Sequence, residues 1–438
     1  MNNKSIKVGV LGLGTVGAGT ANVLQENQPE IQARIGSAVE VSMASVRSLE
    51  SVRNCDCSVI DLRQDPFEIV AHPDIDIIAE TIGGDTLAKE LVLAALDNGK
   101  HVVTANKALI ALHGNELFAR ARKNNVALCY EAAVAGGISI IKALREGMAA
   151  NRIEFIAGII NGTGNFILSE MRDKGRSFDD VLGEAQALGY AEADPTFDVE
   201  GIDAAHKLTI LASLGFGIPL DFDKVVVEGI SKLSLTDVTY AGEMGYHIKH
   251  LGIAKATDKG LELRVHPTLI PKKRLIANVN GVMNAVLVRG NAVGNTLHYG
   301  AGAGALPTAS AMVADIVDIV RSIKGHGNQR IPYYGFQDEA IKPQKIKTAA
   351  ECESAYYLRY EVRDVAGVMS KLSSIFAERD ISIEAITQKE PEPGNKTVPV
   401  IFITQMTQAS IVDDVNRSIE ALDEVVRPVV KFPVEHLQ

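Results

Sequence analysis

The feature that most constrains this chain lies at its start. A β-rich run, residues 6–11, enters Gly12-Leu13-Gly14-Thr15-Val16-Gly17, and a helical pattern follows over 19–25. Strand, glycine turn and helix in that order predict the first unit of a dinucleotide-binding α/β fold. The first glycine permits the tight turn. The second admits a pyrophosphate to the backbone, and the third lets helix and strand pack closely. Gly12, Gly14, Thr15, Val16 and Gly17 are the candidate cofactor contacts.

The pattern repeats downstream. A second strand, 39–46, ends at Arg47, where a fold that takes NAD usually carries an acid. Arginine there favours a 2′-phosphate and hence NADP, against the competing reading of a plain surface arginine. A short helix follows Pro66. A buried strand at 75–79 leads into Glu80-Thr81-Ile82-Gly83-Gly84 and a helix over 86–98, which places Thr81 at the carboxyl ends of the strands, where ligands bind. The strand 102–104 delivers Lys107 to the same edge.

At 438 residues the chain exceeds one compact core, so two or three domains are expected. A net charge of -10 and the lack of a basic run argue against nucleic-acid binding. No apolar run reaches bilayer length. Four scattered cysteines, Cys55, Cys57, Cys129 and Cys352, predict no disulfide framework, and a reducing, cytoplasmic setting fits them.

A strand at 126–130 ends in Glu131-Ala132-Ala133-Val134-Ala135-Gly136-Gly137-Ile138. One carboxylate with inward-turned carbonyls suits a hard monovalent cation, and a tight strand-to-helix turn is the plainer alternative. A helix is expected over 138–147 and a strand over 153–160, delivering Asn161-Gly162-Thr163-Gly164-Asn165. Helices over 166–174 and 177–189 follow, the second capped by Ser177. Gly189-Tyr190-Ala191-Glu192-Ala193-Asp194-Pro195 then opens a block that adds Asp198, Asp203 and Lys207. A helix predicted over 199–214 sets Asp203 and Lys207 on one face, four apart. Their small and apolar neighbours imply partial burial, which makes the proton affinity of Lys207 tunable; a solvated salt bridge is the alternative. Strands at 224–227, 248–257, 261–268 and 285–289 predict an open mixed sheet that also carries subunit contacts. A second glycine run, 298–305, sets Gly304 at the start of an apolar helix, 308–323, which would cross back to the first domain. A linker over 325–347 precedes a βαββαβ pattern: strands 356–362, 381–388, 398–407 and 425–430, with helices 369–379 and 411–423.

Taken in order, Gly12-x-Gly14-x-x-Gly17, Val103-Thr104-Ala105-Asn106-Lys107, Asn161-Gly162-Thr163-x-Asn165, the block Gly189 to Lys207 and Gly300-Ala-Gly-Ala-Gly304 make residues 5–325 resemble homoserine dehydrogenase of the long, regulated type. The remainder resembles the ACT regulatory domain. The resemblance implies an α/β chain with a Rossmann-type nucleotide-binding domain (1–130), a mixed α+β catalytic and dimerisation domain (131–305), a returning helix (306–325), a linker (326–353) and an ACT domain (354–438). It implies reversible NAD(P)H-dependent reduction of L-aspartate 4-semialdehyde to L-homoserine. Lys207 would donate the proton, Asp203 would orient it, and Lys107 would meet cofactor and substrate. Glu192 and Asp198 would hold the substrate with Asn161 and Thr163. Glu131 with the carbonyls of Val134, Gly136 and Ile138 would match a sodium-like cation loop. Asp364, Gly367 and Val368 would form the effector turn, with L-threonine the implied effector and a homodimer or homotetramer the implied assembly. Gly164 departs from the threonine more common there. Two other classes compete. One is a different amino-acid or semialdehyde dehydrogenase on the same scaffold; its acylating kind needs a nucleophilic cysteine, and Cys129 falls within a strand. A non-catalytic sensor of nucleotide and amino acid would lack Lys107 or Lys207.

Overall fold

The computed structural model describes residues 5–324, 331–389 and 396–437. The first residues of the expected linker, 325–330, lie outside them, as do 390–395 of the C-terminal unit and the extreme ends.

The amino-terminal unit is a parallel six-stranded sheet in the order Asp61–Arg63, Val39–Ser45, Ile6–Leu11, Ile77–Glu80, His101–Thr104, Leu128–Cys129. Val8, Val10, Ile77 and Ile78 are fully buried, as a sheet covered by helices on both faces requires. Strand order reverses between Ile6–Leu11 and Ile77–Glu80, so a ligand crevice opens at their carboxyl ends. The helix Ala305–Lys324 returns from far along the chain to this unit. Met312, Ile316 and Val320 share a core with Val8, Val10 and Ile77. Gly19 permits the contact, because a Cβ there would lie 2.7 Å from the Ala305 carbonyl oxygen.

Two helices differ from the sequence reading. Lys107 opens a helix, Lys107–Lys123, that the reading did not contain. Asn106 caps it by accepting from the Leu109 amide at 3.0 Å. Gly114 and His113 interrupt its apolar stripe, and Gly114 is where Leu220 approaches. The helix expected over 199–214 begins later, as Ile202–Phe216, because Gly201 takes a left-handed φ of 83° and separates it from the short turn Thr196–Val199. Residues 138–147 resolve into a short helix, Ile140–Lys142, continued by a π-turn, Ala143–Gly147.

The second sheet has 11 strands among the described residues and continues into the C-terminal unit. Its centre is a long hairpin, Tyr246–Thr257 with Gly260–Pro271. Strands Ile153–Ile159 and Met283–Gly290 extend one side, and Gly294–Ala301, read from sequence only as a glycine run, forms that edge. The expected strand at 224–227 shrinks to Val226–Val227 after a 3-10 turn. On the other side, Gly260–Pro271 meets the last strand, which is Val430–Val434 rather than 425–430, through the pair Leu269 and Val434. Val430–Val434 then pairs with Glu353–Arg363, which pairs with Thr397–Thr404 and so with Ile383–Gln388.

Candidate active site

Lys207 stands on the helix Ile202–Phe216, in the second unit. Its Nζ donates to Asp203 Oδ2 and to the Ile160 carbonyl oxygen, each at 2.7 Å. Lys107, from the nucleotide-binding unit, brings its Nζ to 2.9 Å from Asp203 Oδ1. One carboxylate therefore holds two ammonium groups from two units, and closes the base of the cleft between them. Asn161 completes the cluster. It caps the helix Gly162–Lys174 through Oδ1, which accepts from the Gly164 amide at 2.7 Å. Its Nδ2 donates to Asp198 Oδ1 at 2.8 Å and Asp203 Oδ2 at 2.9 Å. The Lys207 side chain is 11% exposed and that of Lys107 35%, so Lys207 lies at the floor and Lys107 at the mouth.

Burial opposes charge on all of these groups, and the neighbours decide the outcome. It pushes the Asp203 carboxyl up, but the two lysines outweigh it and hold Asp203 far below the usual carboxylate range. Burial lowers the proton affinity of Lys207; Asp203 opposes this, and the positive Lys107 adds to it. For Lys107, burial is outweighed by the summed attraction of Asp203, Asp198 and Glu192, and its affinity rises. Burial also raises Asp198, against the Asn161 hydrogen bond. The set thus has one lysine that releases its proton more readily than a free one and one that keeps it, which suits proton delivery beside a fixed positive charge.

Lys107, Asn161, Asp198, Asp203 and Lys207 come together. Glu192 does not join them in contact: it is exposed on its loop and reaches Lys107 only through charge. Thr163 spends its hydroxyl as a donor to the Tyr190 carbonyl oxygen at 2.6 Å, so it ties down the 189–195 loop rather than facing the cluster. Phe197 and His206 escaped the sequence reading. The Lys107 ammonium sits 5.9 Å from the centre of the Phe197 ring, and His206 packs between Phe197 and Phe222. Both flank motif residues, which was the signal available.

The glycine turn is shaped for a dinucleotide. Gly12 takes a φ of 92°, and a Cβ on Gly17 would lie 2.0 Å from the Gly12 carbonyl oxygen. A Cβ on Gly14 would meet nothing within 4 Å, and no side chain caps the helix Thr15–Glu26 that starts there. Free amides and open space at one helix start fit a pyrophosphate. Thr81 donates to the Gly12 and Leu11 carbonyl oxygens at 2.7 and 3.0 Å, so it shapes the turn. Arg47 is exposed just beyond Val39–Ser45. Gly304 has a φ of 110° and opens the helix Ala305–Lys324.

In the expected cation loop, both carboxylate oxygens of Glu131 accept backbone amides, from Ile141 and Lys142 at 2.9 Å, which fixes this side chain over the start of the helix Ile140–Lys142 and leaves each oxygen a second acceptor site. Burial and the nearby Asp315 push its carboxyl up to about 7. Ala135 and Gly136 both take left-handed φ values, and Gly136 lies against Gly302 of the second glycine run. In the C-terminal unit, Asp364 is exposed, Gly367 takes a φ of 91° and Val368 begins the helix Val368–Ala377. Burial raises the Cys129 thiol far above its usual value, which makes it a poor nucleophile. A cavity of about 1180 Å³ lies elsewhere, against Arg152, Lys255, Phe336, Met406 and Glu435, and includes none of these site residues.

Comparison with known proteins gives three matched segments. Residues 12–131 match the family model described as homoserine dehydrogenase, NAD binding domain; 140–317 match homoserine dehydrogenase; 356–424 match the ACT domain. A homoserine dehydrogenase of Pseudomonas aeruginosa is 58% identical over 434 residues, covering 99% of this chain and 100% of that one. A crystal structure of a homoserine dehydrogenase from Thiobacillus denitrificans superimposes with a TM-score of 0.95 at 54% identity, covering 99% of both chains. A hyperthermophilic archaeal homoserine dehydrogenase in complex with NADPH gives a TM-score of 0.61 at 25% identity, over 74% of this chain and 100% of that one. With the segments that carry the nucleotide turn, Lys107, Lys207 and the C-terminal unit all inside matched ranges, and a relative 58% identical over 99% of this chain, the chain belongs to the homoserine dehydrogenase family.

Proposed function

We propose that this chain interconverts L-homoserine and L-aspartate 4-semialdehyde, with NADP preferred over NAD. The observation that carries the reading is the Asp203 carboxylate shared between Lys107 and Lys207 at the floor of the interdomain cleft. The Gly12–Gly17 turn would hold the pyrophosphate of a nicotinamide dinucleotide, which would supply or accept the hydride when bound. In the reductive direction, Lys207 donates its proton to the carbonyl oxygen as that oxygen becomes an alcohol. Asp203 and the Ile160 carbonyl fix Nζ, so the proton is aimed before the substrate arrives. Lys107 stays protonated at the mouth and balances developing negative charge on the same oxygen. Asp198 and the exposed Glu192 are the acids available for the substrate ammonium.

Arg47 supports NADP, as does the NADPH complex of the archaeal relative. A sodium-like monovalent cation would take the Glu131 carboxylate, already held in place by two backbone amides, with the carbonyls of Val134, Gly136 and Ile138. The ACT turn Asp364 to Val368, with its bare helix start, supports an amino-acid effector such as L-threonine. The exposed edge strand Gly294–Ala301, where Tyr299 is 59% exposed, supports assembly as a dimer or tetramer. Four free cysteines favour a reducing, cytoplasmic setting.

The test is steady-state oxidation of L-homoserine, followed at the absorbance of reduced nicotinamide, with NAD and NADP in turn. Lys207→Ala should lose turnover by at least about a hundredfold while still binding cofactor. Arg47→Asp should lower NADP use relative to NAD. Wild-type protein that is folded, binds cofactor and leaves homoserine untouched would remove the substrate assignment.

A further inference from the structure

The catalytic pair is held from one side by a single loop. Ile160 accepts from Lys207, and Asn161 donates to Asp198 and Asp203. What holds that loop from behind is not in the active site. Asn165, one turn into the helix Gly162–Lys174, donates through Nδ2 to the carbonyl oxygens of Val279 and Met283 at 3.1 and 3.0 Å. Its Oδ1 accepts from Lys249 Nζ at 3.0 Å. The same ammonium donates to the Val279 carbonyl oxygen at 2.5 Å and to Asn280 Oδ1 at 3.2 Å. Ser169, a turn further on, accepts from the Gly281 amide at 3.2 Å, and a Cβ on Gly162 would lie 2.7 Å from the Val282 carbonyl oxygen. The segment 279–283 is thus pressed against the first residue of the active-site helix, and Lys249 is the knot between them.

Lys249 is 1% exposed, and all three of its partners are neutral. The charged and titratable groups facing it are Arg172 and Asp173 from the helix and His247 from its own strand, and none makes an ion pair with it among the described residues. A buried ammonium without a counter-ion is an expensive choice, since an apolar side chain of similar length fills such a place at lower cost. Three donors diverging from one point are what an apolar residue does not supply. Lysine there makes sense if the position of the 160–165 loop matters more than the stability lost.

We propose that Lys249 is a positioning residue for the reaction, acting through Asn165 to set the Ile160–Asn161 loop that aims Lys207 and Asp203. The inference rests on the proposed activity. Lys249→Met keeps the length and removes the donors. Its kcat for homoserine oxidation should fall about tenfold to a hundredfold, the cost of misplacing reacting groups by a fraction of an ångström to an ångström. KM for homoserine should rise, while KM for the nicotinamide cofactor, bound by the other unit, should stay within about twofold of wild type. The urea midpoint should be unchanged or higher. Lys249→Gln, which restores an N–H donor, should recover part of kcat. Combining Lys249→Met with Asn165→Leu should cost no more than the worse single change. Wild-type kcat in a folded Lys249→Met, or a loss of kcat that tracks a fall in the urea midpoint and raises both KM values together, would overturn the proposal. Absence of homoserine turnover in wild type would instead count against the activity itself, so the two failures are distinguishable.

Discussion

At the residue scale, burial sets the acid behaviour of this protein. His206 and His250 lie inside it, 4% and 5% exposed. Burial lowers both to about 4, against opposing help from Asp203 for His206 and from the Glu228 carbonyl for His250. Each is neutral in the fold and binds a proton near 6.5 once unfolded. Between these values the unfolded chain holds more protons, so stability is complete above about pH 6.5 and falls as pH drops toward 4, by roughly 3 kcal/mol per histidine. His206→Phe, which keeps a ring between Phe197 and Phe222, should lose about 2 kcal/mol less than wild type between pH 7 and pH 5. Urea titrations at the two values decide it, and equal losses would show that His206 is not responsible. Residues of this kind were the least legible in the sequence. Asp203, Lys207 and Asn161 stood out because their motifs are local and compact. Lys249 and His250 occupy successive positions of one strand, where alternation predicts that one of the two faces water. Both are inside, because the strand Tyr246–Thr257 is covered on each face over most of its length.

At the scale of elements, the glycine turn separates two roles that the motif alone merges. Gly17 packs against backbone, with room for no Cβ. Gly14 faces open space, and its φ of -77° suits any residue. Gly17→Ala should therefore damage the fold itself, lowering the urea midpoint by several kcal/mol in free-energy terms, because a rigid carbonyl stands where the methyl must go. Gly14→Ala should leave thermal unfolding of the apo protein within about a degree or two of wild type. It should weaken binding of the nicotinamide dinucleotide by about tenfold or more, because the methyl takes the space a pyrophosphate needs. Calorimetric unfolding and cofactor titration separate these outcomes, and unchanged affinity in Gly14→Ala would move the phosphate elsewhere. The turn was legible because each glycine answers to its immediate neighbours in sequence. The helix Lys107–Lys123 was not, because the cap at Asn106 and the approach of Leu220 to Gly114 depend on distant chain. The cap matters to the site: it fixes the first residue of the helix, and that residue is Lys107.

At the scale of the whole molecule, the C-terminal unit is built into the catalytic sheet. The βαββαβ order was readable from periodicity, but the pairing of Leu269 with Val434 joins strands that no local pattern connects. Two buried charge clusters reinforce the join. Arg264 lies 3.0 Å from Glu262 and 2.7 Å from Glu435, and Lys347 lies 2.7 Å from Glu262. Asp237, fully buried on the helix Leu235–Glu243, receives Arg359 Nε at 2.6 Å and the Tyr357 hydroxyl at 3.1 Å, both from the strand Glu353–Arg363. That helix also packs on Gly162–Lys174, whose N-cap Asn161 bonds Asp203, so the strand Glu353–Arg363 and the Asp203–Lys207 cluster are two helices apart. A hinged regulatory module would melt by itself and leave an active core. A continuous sheet with buried cross-links should unfold as one. We therefore expect a single cooperative transition, with loss of homoserine oxidation coincident with loss of ellipticity. Arg359→Met should shift that whole transition by about 3–5 kcal/mol, because it strands the Asp237 carboxylate away from water. Removing both charges together, as Asp237→Leu with Arg359→Met, should recover most of the loss, since burying an ion pair gains little over apolar packing. An early transition that spares activity, or an Arg359→Met effect confined to it, would show that the C-terminal unit moves independently.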